Sequence, residues 1–240
     1  MIQGKHVGAL IPAAGSGTRM GGSLRKQYMT LQGREILEWT LSRLLLNAQI
    51  DEVKIIVPEE DVATVSDKVS SWRKRYEFSM EIQVITGGET RQASVYNGLC
   101  ALSDAVEYVV IHDGVRPFVK SVWVERYISK LEERPEIAGV IAGTAVTDTL
   151  KRVDENHVIN GTVDRSQIWA VQTPQIFRFE TLKMAHEDAI KTKAVVTDDA
   201  AILELSGHHV IIEPSDPSNI KITKPFDLVL AEVILNSEKE

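Results

Sequence analysis

At 240 residues, 43% of them hydrophobic, the chain can bury a sizeable core, and its length fits one α/β domain spanning 1–240 rather than two independent ones. Its 34 acidic residues exceed its 27 basic ones, and a net charge of −7 argues against nucleic acid or an anionic membrane as partner, since either needs a basic face. No run of 18 apolar residues occurs, and Met1–His6 leads into a strand without a signal-peptide pattern, so the expected location is the cytoplasm.

The first predicted element is Val7-Gly8-Ala9-Leu10-Ile11, a continuous apolar run that reads as a buried parallel strand. Pro12-Ala13-Ala14-Gly15-Ser16-Gly17-Thr18-Arg19-Met20 follows, and then Lys26-Gln27-Tyr28. A loop of small residues leaving the carboxyl end of a first strand stands where open α/β sheets bind ligands. Ala13 and Ala14 block little space, Gly15 and Gly17 let main-chain N–H groups point at anionic oxygens, and Arg19 and Lys26 add charge at the rim. The loop lacks the GxxxxGK[ST] spacing and a third glycine, so it is neither a Walker loop nor a dinucleotide fingerprint. A Gly-rich connecting turn is the bland reading; the two cations favour a nucleoside triphosphate.

Further along, β-branched apolar runs at 53–57, 82–85, 108–111, 139–145 and 210–212 alternate with helical patterns at 36–46, 62–69, 93–102, 122–131 and 182–190. This order predicts an α/β fold: three layers, α/β/α, Rossmann-like, with a mainly parallel sheet. Cys100, the lone cysteine, is expected as a buried structural thiol. Segment 149–165 alternates weakly around a polar turn at 154–156 and predicts a β-hairpin arm with little core of its own. Such a ribbon is marginal alone, so it packs either on a second copy of the chain or back on its own domain. Gln172-Thr173-Pro174-Gln175 reads as a turn at the sheet edge, because proline is foreign to a central strand. Thr197-Asp198-Asp199 reads as a capped helix start, and a closing helix is expected from Lys224-Pro225-Phe226-Asp227 into 228–235, with Pro225 in its first turn and 236–240 frayed.

The candidate chemistry lies in loops. Arg19, Arg25, Lys26, Arg91, Arg116, Arg165 and Lys221 occupy segments that resemble strand ends, which would concentrate cations in one place on an acidic chain. No Ser-His-Asp or Cys-His constellation is recognisable, and the six histidines lack metal-ligand spacing. His112 is read as a packed, hydrogen-bonded residue, and His208-His209 as structural. Asp113 can bind a hydroxyl, lie near a metal, or serve as a turn residue. Arg116 either binds substrate or ties Asp113 in place, and Glu89 and Arg91 are equally well a charged helix start.

In order, the Pro12–Met20 loop, Lys26-Gln27-Tyr28, Gly87-Gly88-Glu89-Thr90-Arg91 with Ser94, and His112-Asp113-Gly114-Val115-Arg116-Pro117 resemble the cytidylyltransferases that act on 2-C-methyl-D-erythritol 4-phosphate. The resemblance continues through Asp148–Arg152, Thr162–Arg165, Gln172–Phe177, Thr197–Ala200 and Asn219–Thr223, nearly the whole chain. It implies transfer of CMP from CTP to the phosphate of the methylerythritol, with release of pyrophosphate and a divalent ion, normally Mg²⁺, in non-mevalonate isoprenoid synthesis. It also implies a homodimer in which the arm crosses over, so that Thr149 and Arg165 bind the sugar phosphate in the neighbour's site. Gly88 and Ser94 would read the cytidine and Thr197 would lie near the acceptor, while Asp113 would contact substrate or the ion's surroundings. Arg19 and Lys26 are assigned to the charge developing on the α-phosphate and pyrophosphate, and Lys221 and Arg165 to the acceptor phosphate.

Three alternatives stay open in the sequence. A ribitol-5-phosphate cytidylyltransferase is favoured by Val115, but the first loop and the Thr162–Arg165 segment argue against it. A non-catalytic nucleotide-binding regulator would be expected to have lost Arg19, Lys26, Arg165 or Lys221. A glycosyltransferase would carry an Asp-x-Asp motif, which His112-Asp113-Gly114 is not.

Overall fold

The computed structural model describes residues 4–15, 25–46 and 48–238. Eleven strands and seven α-helices alternate among them: β1 Val7–Pro12, β2 Thr30–Leu31, β3 Arg34–Glu35, α1 Ile36–Leu45, β4 Glu52–Val57, α2 Val62–Tyr76, β5 Glu81–Thr86, α3 Arg91–Ala101 and β6 Tyr108–Ile111 come first. They are followed by α4 Val122–Glu133, β7 Ile137–Ala145, β8 Leu150–Val153, β9 Ile159–Val163, β10 Trp169–Arg178, α5 Phe179–Thr192, α6 Asp199–Leu205, β11 His209–Pro214 and α7 Pro225–Ser237. Seven strands form one sheet in the order β11-β7-β10-β6-β1-β4-β5, parallel throughout except for β10, which runs antiparallel to both β6 and β7. The expected three-layer, mainly parallel architecture is present.

The sheet is covered on both faces, which is why its strands read as unbroken apolar runs. Along β1, Ala9 and Ile11 join the core beneath α1, α2 and α4 with Leu41, Val69 and Tyr127, while Leu10 points the other way to Val95, Leu99 and Leu182 of α3 and α5. Each fully buried leucine or isoleucine contributes about 1.5–3 kcal/mol. A smaller cluster of Leu31, Ile36, Phe118, Ile222 and Leu235 seats α7.

The layer beneath α3 is close because Gly98 has no side chain: a Cβ there would lie 2.8 Å from Ile56 Cδ1 and 2.9 Å from Leu10 Cδ2. Gly98→Val is therefore expected to cost about 1–3 kcal/mol by overpacking. Thermal denaturation should show a melting point lower by several degrees; an unchanged one would contradict this packing.

Three expectations require correction. Gln172–Gln175 is not an edge turn but part of β10, between β6 and β7. Pro174 is tolerated there because the ladder to β7 is broken between Val171 and Gln175, and the paired register with β6 begins only at Gln175, so neither ladder needs its missing N–H. Cys100 is exposed rather than buried, because the inward face of α3 is Ser94, Val95, Gly98 and Leu99, and the helical period turns position 100 outward. The last helix starts as expected but runs to Ser237, into the tail expected to be frayed. Pro225 opens it, the Asp227 carboxylate accepts from the Thr223 and Lys224 N–H groups, and Glu238, placed in the expected frayed tail, pairs with Arg43.

Segment 149–165 folds as a hairpin, β8 pairing antiparallel with β9 in a two-stranded sheet of its own. Asp154 Oδ1 closes its turn, accepting from the Asn156 and Val158 N–H groups at 2.9 Å each, with His157 in a left-handed conformation. Val158 and Ile159 are left 58% and 60% exposed.

Candidate active site

The chain leaves β1 for β4 on one side of it and later returns to β6 on the other, so the crevice above β1 is the switch point of the sheet. The loops after β1, β5 and β6 meet there. A Cβ on Gly87 would lie 3.0 Å from Ala14 Cβ and 2.9 Å from Ser94 Oγ, so glycine is what lets the β5 loop touch the β1 loop. Ser94, buried in the first turns of α3, accepts from the Gly88 N–H at 3.0 Å and donates to the Thr90 carbonyl at 2.8 Å, while Thr90 caps the helix by accepting from the Ala93 N–H. Three side-chain hydrogen bonds thereby hold the β5 loop to the start of α3.

The resulting cleft has two connected compartments. A smaller one, about 310 Å³, is lined by Ala13, Ala14, Gly15, Lys26, Gly88, Glu89 and Ser94. A larger one, about 500 Å³, is lined by Arg116, Thr173, Thr197, Asp198, Ile141 and Ile212. Arg91, Asp113 and Lys221 belong to both. The expected residues Ala13, Ala14, Gly15, Lys26, Gly88, Glu89, Ser94, Asp113, Arg116, Thr197 and Lys221 are thus brought together. Gly17 and Arg19 lie outside the described residues. Thr149 and Arg165 are exposed on the arm and line neither compartment of their own chain.

Asp113 is the centre of the site. Its buried carboxylate lies 2.8 Å from Lys221 Nζ and 3.3 Å from Arg116 Nε through Oδ2, and 3.8 Å from Arg91 Nε through Oδ1. Burial alone would raise its pKa, but Lys221, Arg91 and Arg116 overcome that and hold the carboxyl well below its ordinary value. Arg116 also donates to the Asn219 carbonyl at 2.9 Å, and the buried Asn219 amide donates to Gln172 Oε1 and the Thr173 carbonyl. These bonds tie the segment carrying Lys221 to β10. Arg116 makes the tie to Asp113 and also lines the larger compartment.

His112, fully buried, is a packing residue as expected. Thr173 Oγ1 accepts from the Asp113 N–H and lies 3.0 Å from His112 Nδ1, and His112 Nε2 lies 3.1 Å from the Arg116 carbonyl. With Thr173 donating to Nδ1, the ring proton sits on Nε2, and burial pushes the pKa down to about 4, so the ring is neutral at pH 7.

Asp113 Oδ2 is taken by Lys221 and Arg116, while Oδ1 lies 3.8 Å from Arg91 Nε. Among the described residues no group of three His, Cys, Asp or Glu side chains could hold an ion, so an ion beside Asp113 would need oxygens from a substrate phosphate as well.

Five positions do more in the structure than the sequence alone predicts. Arg91, equally well a charged helix start in the sequence, forms ion pairs with Asp113 in the cleft and with the buried Asp199 behind it. Gln172, Thr173 and Asn219, quoted only as motif letters, hold the loops in place. The pairing of Asn219 and Lys221 two residues apart was the available signal. Arg25 starts the turn Lys26–Tyr28 with an extended backbone and pairs with Glu60 and with Asp61 at 3.2 Å.

A cleft of two such compartments at the switch point of an α/β sheet, with cations gathered from four loops, fits the site of a nucleotidyltransferase. The family model for 2-C-methyl-D-erythritol 4-phosphate cytidylyltransferase (IspD) matches residues 7–237, and the chain belongs to that family. The enzyme of that name from Synechococcus sp. (strain CC9902) is 41% identical over 228 residues, covering 95% of this chain and 97% of that protein. The one from Syntrophus aciditrophicus (strain SB) is 40% identical over 232 residues, 96% of each. Among solved structures, the 4-diphosphocytidyl-2C-methyl-D-erythritol synthase of Anaerococcus prevotii superposes with a TM-score of 0.83 at 31% identity, covering 98% of both chains. The ribitol alternative suggested by Val115 is not the family matched.

Proposed function

We propose that the protein transfers CMP from CTP to the phosphate of 2-C-methyl-D-erythritol 4-phosphate, forming 4-diphosphocytidyl-2-C-methyl-D-erythritol and pyrophosphate in non-mevalonate isoprenoid synthesis. The observation that carries this reading is the wall common to both compartments, where Asp113 gathers Arg91, Arg116 and Lys221 between a nucleotide-sized pocket and a second one. CTP would occupy the smaller compartment, its phosphates against the β1 loop and Lys26. The acceptor phosphate would occupy the larger one.

The acceptor needs no general base, because a phosphate monoester has a second pKa of about 6 and is largely a dianion at pH 7. One of its oxygens forms a bond to the α-phosphorus while the bond from that phosphorus to the bridging oxygen breaks, and the electron pair leaves with pyrophosphate. The barrier is repulsion between anions, which Arg19, Lys26, Lys221 and Arg165 would offset. A divalent ion, Mg²⁺, would supply further positive charge against the triphosphate, and Asp113, the carboxylate that lines both compartments, would be the residue beside it. Arg165 and Thr149 would act on the site of a second copy in a homodimer joined by the arms, a role favoured by their distance from their own cleft and by the exposed apolar arm. No helix among the described residues is long and apolar enough to cross a membrane, and a cytoplasmic location is proposed.

Pyrophosphate release from CTP and Mg²⁺ with methylerythritol 4-phosphate, and not with ribitol 5-phosphate, tests the reading. No release with either would bring forward the non-catalytic regulator. The crossed arm has its own test: Arg165→Ala and Lys26→Ala chains, each poorly active alone, should regain one working site per heterodimer when mixed. No recovery in verified heterodimers would place the arm's action within its own subunit.

A further inference from the structure

Arg91 stands on the wall between the compartments, but Asp113 is not what holds it there. The Arg91–Asp113 separation of 3.8 Å is beyond hydrogen-bond reach, whereas Arg91 Nη2 donates to Asp199 Oδ2 at 2.7 Å. Asp199 lines neither compartment and its side chain is 1% exposed, so it cannot itself meet a substrate. Its place is set by its neighbours. Asp198 caps α6 by accepting from the Ala201 N–H and is pinned by Gln175 Nε2 at 2.9 Å. On the far side, the fully buried His186 of α5 lies 3.7 Å from Asp199 Oδ1, its two ring nitrogens without a hydrogen-bond partner among the described residues.

The electrostatic consequence follows from what the guanidinium would otherwise do. Without Asp199, Arg91 would turn towards Asp113 and Asp198, and at Asp113 it would compete with Lys221 and Arg116. With Asp199 behind it, Arg91 is drawn back, Asp113 Oδ2 stays with Lys221 and Arg116, and the open edge of Arg91, whose side chain is 31% exposed, remains on the cleft. A guanidinium held at one corner presents its remaining N–H groups in a fixed fork suited to a phosphate.

We propose that Arg91 receives the acceptor phosphate where it meets the α-phosphate of the nucleotide, and that Asp199 is the positioning residue that holds Arg91 for this contact. The inference rests on the cytidylyltransfer reading above and adds two residues that act on its acceptor side.

The test is a double-mutant cycle on the full chain, read by pyrophosphate release with CTP, Mg²⁺ and methylerythritol 4-phosphate, with melting curves for every variant. Arg91→Ala should lower kcat/KM for the acceptor by about 10²-fold while KM for CTP stays near the wild-type value. Asp199→Asn should lower it about 10-fold, and adding it to Arg91→Ala should cause no further loss, because its effect passes through Arg91. Effects that multiply in the double variant, or wild-type kinetics for Asp199→Asn, would overturn the positioning role. If Asp199→Asn does not fold, Arg91→Lys carries the test: it keeps the charge on Asp199 but loses the fork, so an acceptor KM raised with CTP unaffected supports the proposal and unchanged kinetics overturn it. Absence of turnover by the wild-type chain would instead sink the cytidylyltransfer reading itself.

Discussion

Lys26→Ala is expected to lower kcat by about 10²–10³-fold while leaving the fold intact. Both halves of this expectation follow from how Lys26 is held. It opens the one-turn segment Lys26–Tyr28 and lines the smaller compartment beside Gly15. The turn itself is fastened by other groups: the buried Gln27 amide donates to the Ala13 carbonyl, the Tyr28 hydroxyl donates to Asp61 Oδ2 at 2.9 Å, and the Met29 N–H returns to the Lys26 carbonyl through the backbone. Alanine keeps all three. What is lost is a cation beside the triphosphate, where charge moves onto the leaving pyrophosphate, so the loss should appear in kcat more than in KM for CTP. A folded variant with a wild-type rate would remove Lys26 from the chemistry; a melting point lowered by many degrees would make it a structural residue.

The sheet was legible because burial on both faces leaves a simple trace, as at Val53–Val57, where every position is apolar except Lys54. That lysine is buried and paired with Glu52 at 3.2 Å, a partnership invisible in a one-dimensional reading. β10 was misread at Pro174 for an instructive reason. Proline is foreign to a central strand only where both ladders continue past it, and whether they do depends on neighbours more than 30 residues away in sequence. The site shows the same division. Glycines and cations next to strand ends were legible because their roles are local: close approach, charge, a cap. Arg91 was not, because what separates a solvated helix start from a cleft cation is Asp199, 108 positions later. His112 was legible as a packed residue, but its neutral tautomer depends on Thr173, which only the bulged strand brings within reach.

Asp113→Asn separates the charge of the central carboxylate from its shape. In the wild-type chain one anion balances three cations at the meeting point of two anionic substrates, and this balance keeps Lys221 and Arg116 on Oδ2 while Arg91 stands clear. The amide is nearly isosteric but neutral, so the cations repel one another and lose their shared anchor. Displacement of positioning groups by about 1 Å can cost 10²-fold in rate, and a loss of about that size is expected in kcat/KM for the acceptor. Stability should fall too, by about 2–3 kcal/mol at pH 7, less than for a fully enclosed ion pair because Lys221 and Arg91 are 37% and 31% exposed and screened. The pH dependence fixes the sign. Asp113 has a folded pKa held below its unfolded one, so its stabilisation is fully present above an unfolded aspartate pKa of about 3.9 and is lost as pH falls through the lower folded value. The melting-point gap between wild type and Asp113→Asn should therefore be widest near neutrality and narrow as the pH falls below about 4. A gap that stays constant across that range would mean that the carboxylate's charge contributes nothing to the fold, and that Asp113 serves the substrates alone.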